Sequence, residues 1–454
     1  MLSPLMIWGA IALFAAFGLF VAWRAARANT GTAEDYYLGG RRFGGLVAGL
    51  SYAATTYSAF MLVVLTGLTY RGGIGALGFE LIYFAGLGLL VIFAPRFWLA
   101  AKRWGFISPA EMLGVRYGSV WVARLAALVA LVFLMPYCTT QMAGIGLLLS
   151  GVTGGEITLV QAVATGGLLA ALWTLFAGLR SVAWTDAAQA VVMLVSALLA
   201  IGFAVAAIGG WGEFARVTME TQGERLSVPG PGLWSAGTFV ALSLPWFFFA
   251  ISNPQVSQRL FIVKDMAAMK RMIYWVLGFG LLFTLVAVTW GFAALQLAPG
   301  LENTATATPA LLTSGAIPAP VAVLLILGIL AAAVSTLDSI ALTLASMVAR
   351  DLMTDARPRS QILAGRAVVI LVILFASLFA VQKATIVDQL AALSAAGLMV
   401  TVPAIVGAYF WRRATAAGAL ASMAGGAALA VWMAMIQGVS VFNPVLALSV
   451  GGVS

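Results

Sequence analysis

Gly49-Leu50-Ser51-Tyr52-Ala53-Ala54-Thr55-Thr56-Tyr57-Ser58-Ala59-Phe60 sits at the centre of an apolar run extending from about residue 44 to 70. A run of that length crosses roughly 30 Å of hydrocarbon as a helix. Its middle is nevertheless dense in hydroxyl side chains, and Gly44, Gly45 and Gly49 precede them. Small and hydroxyl residues serve close packing between membrane helices. They equally suit a helix that breaks near the midplane and turns its carbonyls toward a cation. A second stretch bears on that choice: Ser243-Leu244-Pro245-Trp246-Phe247-Phe248-Phe249-Ala250-Ile251-Ser252-Asn253-Pro254-Gln255, with two prolines nine residues apart and Ser252 and Asn253 between them. Proline removes a helix hydrogen bond and crowds the preceding turn, so this run also reads as interrupted.

Working outward, twelve apolar runs are long enough to span, at about 4–23, 44–70, 74–95, 120–150, 157–178, 182–209, 236–258, 272–297, 320–349, 363–382, 387–411 and 415–437. The two interrupted runs are the second and the seventh. Interruptions at corresponding places in two halves point to a transporter's binding site. Spans two to six and seven to eleven then form two five-helix repeats, and an odd repeat length gives them opposite topology. The domain reading is an N-terminal helix and loop (1–43), a first repeat (44–209), a second, inverted repeat (236–411) and an accessory C-terminal part (412–454). The last ten residues, Val445–Ser454, are apolar but too short to span, and are read as the start of a thirteenth helix.

Composition agrees with a chain solvated by lipid. Of 454 residues, 63% are apolar and 9% charged, against about 45–50% and 25% in soluble domains, and mean hydropathy is +1.05. Histidine is absent, which removes His metal sites, His-based triads and imidazole pH switches. The single cysteine, Cys138, rules out an intrachain disulfide. The net charge of +9 is no nucleic-acid footprint, because the basic residues lie between hydrophobic runs. With the N-terminus placed outside, twenty of the 24 Arg and Lys residues fall on the inner side, leaving Arg71, Arg216, Arg225 and Lys383 outside. The positive-inside rule selects that orientation. Segments 210–235 and 298–319 read as outer loops, and Ser108-Pro109-Ala110-Glu111 as the capped start of a short helix on the inner surface.

The ninth span supplies the second set of polar exceptions, Ala332-Ala333-Val334-Ser335-Thr336-Leu337-Asp338-Ser339-Ile340. Positions 332, 335, 336, 339 and 343 share one helical face, which gives a stripe of neutral oxygens suited to a hard cation. The competing reading is that the hydroxyls bond back to carbonyls four residues earlier. Acids inside spans, Asp338, Asp186 and Glu80, are functional candidates by default. Asp186 and Asp338 lie toward the inner ends of their spans, on a cation's exit path. No Arg or Lys is evident at midplane depth to clamp an anion.

These residues resemble the sodium/solute symporters, a family with the LeuT-type five-plus-five inverted-repeat fold. The resemblance rests on Asp35-Tyr36-Tyr37-Leu38-Gly39-Gly40-Arg41, on Ser108-Pro109-Ala110-Glu111 before Arg116-Tyr117-Gly118, on Gly178-Leu179-Arg180-Ser181-Val182-Ala183-Trp184-Thr185-Asp186, and on Ser335-Thr336-Leu337-Asp338-Ser339, in that order along nearly the whole chain. It implies an all-α polytopic membrane protein with one extra helix ahead of the repeats and at least one behind. It implies a Na⁺ site from the carbonyls of Ala54, Tyr57 and Ala332 and the hydroxyls of Ser335 and Thr336. A second cation site or exit path would use Asp186, Asp338 and Ser339. The solute would meet Thr55, Thr56, Ser58, Glu80, Tyr83, Gln141, Phe247, Phe248 and Asn253. Thr56 departs from members that carry Asp or Asn there. An ionised Glu80 would favour hydroxyl or ammonium donors over a bare carboxylate.

The expected function is a Na⁺-coupled symporter that imports a small organic solute by alternating access, multi-pass in a bacterial-type inner membrane. Its partners are the solute and the bilayer, with no nucleic acid. The alternatives are a transporter-like sensor module and a proton-coupled symporter. A membrane enzyme finds no cluster of acids or nucleophiles to work with. No motif sets the solute, the stoichiometry or the oligomeric state.

Overall fold

Glycine and proline decide where the long apolar runs bend. The computed structural model describes residues 2–27, 32–353, 358–383 and 387–435. Nine helices among them are long and apolar enough to cross a membrane. The second, fifth and seventh of the twelve expected runs take other forms. The second is a bent pair, Gly45–Thr56 and Phe60–Gly72, inclined by 44°. The fifth is the helix Leu159–Ala177. The seventh is cut into the pieces Ala236–Phe247, Phe249–Ser252 and Pro254–Ser257. The result is the all-α, five-plus-five inverted-repeat core, with Pro4–Ala26 ahead of it and Ala416–Met435 behind. Residues 445–454, read as the start of a further helix, lie outside the described residues.

Both breaks have local causes. Tyr57 leaves helical space at φ −95°, ψ 85°, and the Ser58 hydroxyl then accepts from the Phe60 amide at 3.2 Å, satisfying one of the donors a new helix leaves open. In the seventh span Asn253 is extended at φ −90°, ψ 112°. The ring of the following Pro254 disfavours a helical residue before it. The two broken spans are tied together at one end: Phe43 donates to the Ile262 carbonyl at 3.2 Å and accepts from Lys264 at 3.1 Å, a parallel bridge between Phe43 and Val263.

The second span packs on the sixth (Leu179–Ile208) and the eighth (Met266–Leu297), while the ninth (Ala319–Met347) packs on the fourth (Val120–Val152), fifth, sixth and tenth (Pro358–Lys383). The ninth is deeply enclosed; every residue from Gly328 to Met347 is buried. The short helix Pro109–Tyr117 forms as expected, its Ser108 hydroxyl accepting from Glu111 N at 2.9 Å. The loops read at 210–235 and 298–319 each contain a short helix, Trp211–Thr221 and Ala307–Thr313. The first carries an exposed ion-pair triplet of Arg216 with Glu213 and Glu220.

The quoted sequence pieces meet on one side of the molecule. The helix Ala33–Leu38 is held by an ion pair between Asp35 and Arg180. Arg180 also donates to the Gly39 carbonyl at 3.2 Å. Gly178 is required where this helix docks: its φ is +59°, and a Cβ there would lie 2.2 Å from the Tyr36 carbonyl oxygen. Asp351 accepts from Ser108 at 2.5 Å and Arg350 pairs with Glu111 at 2.8 Å.

Candidate cation and solute site

The bend of the second span opens its last carbonyls toward the ninth. Ser335 Oγ donates to Ala54 O at 3.0 Å or to Ala332 O at 3.2 Å. Thr336 Oγ1 lies 3.4 Å from Ala54 O and from Thr55 O, and 3.0 Å from Ala332 O. The back-bond within the helix and the reach across to the second span are therefore both present, because one hydroxyl sits between two sets of carbonyls. Ser335, Thr336, Ala54 and Ala332 come together as the sequence predicts, and the Thr55 carbonyl joins them. Tyr57 ends the helical segment three residues beyond Ala54. All these donors are neutral oxygens, which suit a hard monovalent ion held weakly enough to leave. Among the described residues no three His, Cys, Asp or Glu side chains cluster as a metal site.

One turn further along the ninth span the arrangement differs from the expected one. Asp186 is fully buried and paired with Arg259, Nη2 to Oδ2 at 3.0 Å, with both side chains 0% exposed. Arg259 also donates to Ser51 Oγ at 3.1 Å, to the Gln255 carbonyl at 2.7 Å and to Ser339 Oγ. Ser51 donates to Asp186 at 2.7 Å, and Thr55 and Ser339 hydroxyls lie 3.0 Å apart. Asp338 is buried beside Ser339, whose hydroxyl lies 3.3 Å from Asp338 Oδ1, while Asp338 Oδ2 and Asp186 Oδ1 have no partner. Arg259, counted from sequence among the inner loops and helix ends, is thereby placed in the interior beside these acids. Buried acids pull a guanidinium inward, since a charge in a low-dielectric interior is tolerated only when paired.

The proposed solute residues divide into two groups. Thr56, Ser58, Glu80, Tyr83 and Gln141 are all buried. Tyr83 donates to the Thr56 carbonyl at 3.3 Å, and Ser58 pairs with the Tyr137 hydroxyl at 3.1 Å. Tyr83 packs edge-on against Trp246, at 5.2 Å between ring centres, and against Phe249 at 5.3 Å. Phe247 and Phe248 are only half-buried and pack on each other, so the aromatic wall comes from their neighbours Trp246 and Phe249. The helix is interrupted at Phe248, between Ala236–Phe247 and Phe249–Ser252, so the register of a straight helix does not carry across it. Asn253 is buried at the second break, where its side-chain Oδ1 accepts from Gln255 Nε2 at 3.3 Å. Ser252 and Pro254, on either side of it, line a separate small cavity with Pro109, Met112 and Met347. Arg259, Ser51 and Tyr137 were not singled out from sequence. The signal for Arg259 was the pair of acids within spans, which demanded a base from somewhere.

Comparison with known proteins bears on this geometry. The family described as "Sodium:solute symporter family" matches residues 36–426. The chain is 26% identical over 440 residues to the uncharacterized symporter YodF of Bacillus subtilis (strain 168), covering 93% of this chain and 87% of that one. It is 30% identical over 266 residues to the sodium/pantothenate symporter of Escherichia coli (strain K12), 57% of this chain and 54% of that one. Among solved structures, a substrate-bound, outward-open Na⁺-coupled sialic acid symporter superposes with a TM-score of 0.79 at 22% identity, over 98% of this chain and 96% of that one. Mhp1, a nucleobase-cation-symport-1 family transporter, gives 0.58 at 16% identity, over 93% and 92%. The structural likenesses carry the fold; the family match carries the rest, and it places this chain in the sodium:solute symporter family as a sodium-coupled solute symporter.

Proposed function

We propose that Na⁺ is the coupling ion and is held by the carbonyls of Ala54, Tyr57 and Ala332 with the hydroxyls of Ser335 and Thr336. The observation that supports this reading is the reach of the Ser335 and Thr336 hydroxyls to Ala54 O. The second and ninth spans belong to different repeats, so an ion between them favours whichever state brings the two together. Solute meets Thr55, Thr56, Ser58, Glu80, Tyr83 and Gln141 beside the same break, with Phe247, Phe248 and Asn253 contributing from the seventh span. Coupling is then differential affinity between conformations. The chain lies in an inner membrane with its N-terminus outside and imports the solute. Asp186, Asp338 and Ser339 mark the path by which the ion leaves, or a second cation position, with Arg259 already neutralising one of the two acids.

Transport or thermal unfolding of the purified chain, titrated with NaCl against choline chloride, tests the assignment. Saturating a site a hundredfold above its Kd adds about 2.7 kcal/mol to stability. Ser335→Ala and Thr336→Ala are expected to raise the Na⁺ concentration for half effect at least about tenfold, the equivalent of about 1.4 kcal/mol, with a smaller effect on folding in choline. Unchanged Na⁺ activation in both variants removes the site.

A further inference from the structure

Glu80 is the acid that the preceding reading leaves without a defined partner. It is 1% exposed, and neither carboxylate oxygen has a hydrogen-bond partner. Two further hydroxyls, Tyr57 Oη and Thr284 Oγ1, are buried in the same condition. The three belong together. Thr284, on the eighth span, is the hydroxyl neighbour of both the carboxylate and the phenol. A Cβ on Gly280, one turn before Thr284, would lie 2.1 Å from Tyr57 Oη, so the phenol rests on the face of the eighth span that carries Thr284. The Tyr57 ring also packs against Phe279 at 5.8 Å and Phe283 at 6.2 Å.

Four unpartnered oxygens thus converge from the second, third and eighth spans. The fully buried base, Arg259, is engaged with Asp186, Ser51 and Ser339. A buried carboxylate requires a compensating charge, and buried hydroxyls require partners. A proton on Glu80 removes the charge and supplies a single O–H donor, which serves one of the two hydroxyls and leaves the other without a partner. A neutral polyol serves the hydroxyls and leaves the charge. A solute carboxylate would face a like charge. A protonated amine meets every demand: it carries the opposite charge, offers several N–H donors to three acceptor groups, and is attracted to the faces of surrounding aromatic rings.

Resting on the symporter reading above, we propose that the transported solute carries a protonated amine, and that Glu80, Tyr57 and Thr284 hold its ammonium group. Tyr57 then joins the two cargoes, its carbonyl facing the sodium site and its phenol facing the amine.

The test is thermal unfolding of the full chain in detergent at fixed NaCl, with propylamine, benzylamine and phenethylamine each set against the alcohol and the carboxylate of the same length. The expected result is an upward shift with an amine that neither analogue gives, lost in Glu80→Gln while the shift due to NaCl alone persists. No amine-specific shift, an equal shift with the alcohols or carboxylates, or retention in Glu80→Gln overturns the proposal. Should Glu80→Gln fail to fold, Thr284→Val takes its place, with at least a fivefold loss of apparent amine affinity expected and none overturning the assignment. The sodium reading is scored separately by the shift with NaCl alone and its loss in Ser335→Ala, so either reading can fall while the other stands.

Discussion

Arg259 shows what one side chain does in this core. It answers Asp186 directly, and four of its contacts come from three other parts of the bundle or its own preceding turn. Removing one partner of a buried ion pair strands the other and costs about 3–5 kcal/mol, whereas removing both costs far less. Arg259→Met is therefore expected to destabilise the chain by that amount, and Asp186→Asn in the same chain to restore more than half of it. Chemical denaturation of the single and double variants measures this; equal losses in both would show that the charge is not what the pair protects. Residue-level reading reaches furthest where chemistry and period coincide, as at Ser335 and Thr336, whose shared helical face could be counted. It failed at Arg259 because a cation at a span's end looks the same in sequence whether it faces water or a buried acid. The packing of Trp246 and Phe249 on Tyr83 was not legible either, because no periodicity records the register across the break at Phe248.

At the scale of elements, the interruptions were the legible feature, and each broke where its sequence has a reason to. The second span stops at Tyr57 and restarts under the Ser58 hydroxyl; the seventh turns extended at Asn253 before Pro254. The short helices in the two long loops were not legible, since 210–235 and 298–319 are polar stretches rich in turn residues and their helices are brief. Docking of the helix Ala33–Leu38 was equally hidden: Gly178 reads as an ordinary helix end, yet it admits the Tyr36 carbonyl at a distance that excludes any side chain. Gly178→Ala adds the cost of a backbone conformation open essentially to glycine, about 1–3 kcal/mol, to that clash. Trypsin is expected to cut the variant faster at Arg41 and Arg42, by severalfold over the unsubstituted chain. An unchanged cleavage rate would show that the docked helix does not depend on this close approach.

For the whole molecule, length, hydropathy and the spacing of two breaks were enough to read the architecture, because lipid leaves a chain few ways to satisfy its backbone. The orientation expected from the basic residues is open to measurement, and Cys138, buried at 0% exposure, leaves a background for it. Cysteine placed at exposed Glu224 is expected to react with a membrane-impermeant maleimide on intact cells, and cysteine at exposed Arg413 only after the membrane is opened. The reverse pattern would invert the topology, and labelling of the unsubstituted chain would show Cys138 to be reachable. The bridge between Phe43 and Val263 has a mechanical meaning at this scale. It joins the two interrupted helices at one end by two backbone hydrogen bonds, so that a displacement of either end there is handed to the other.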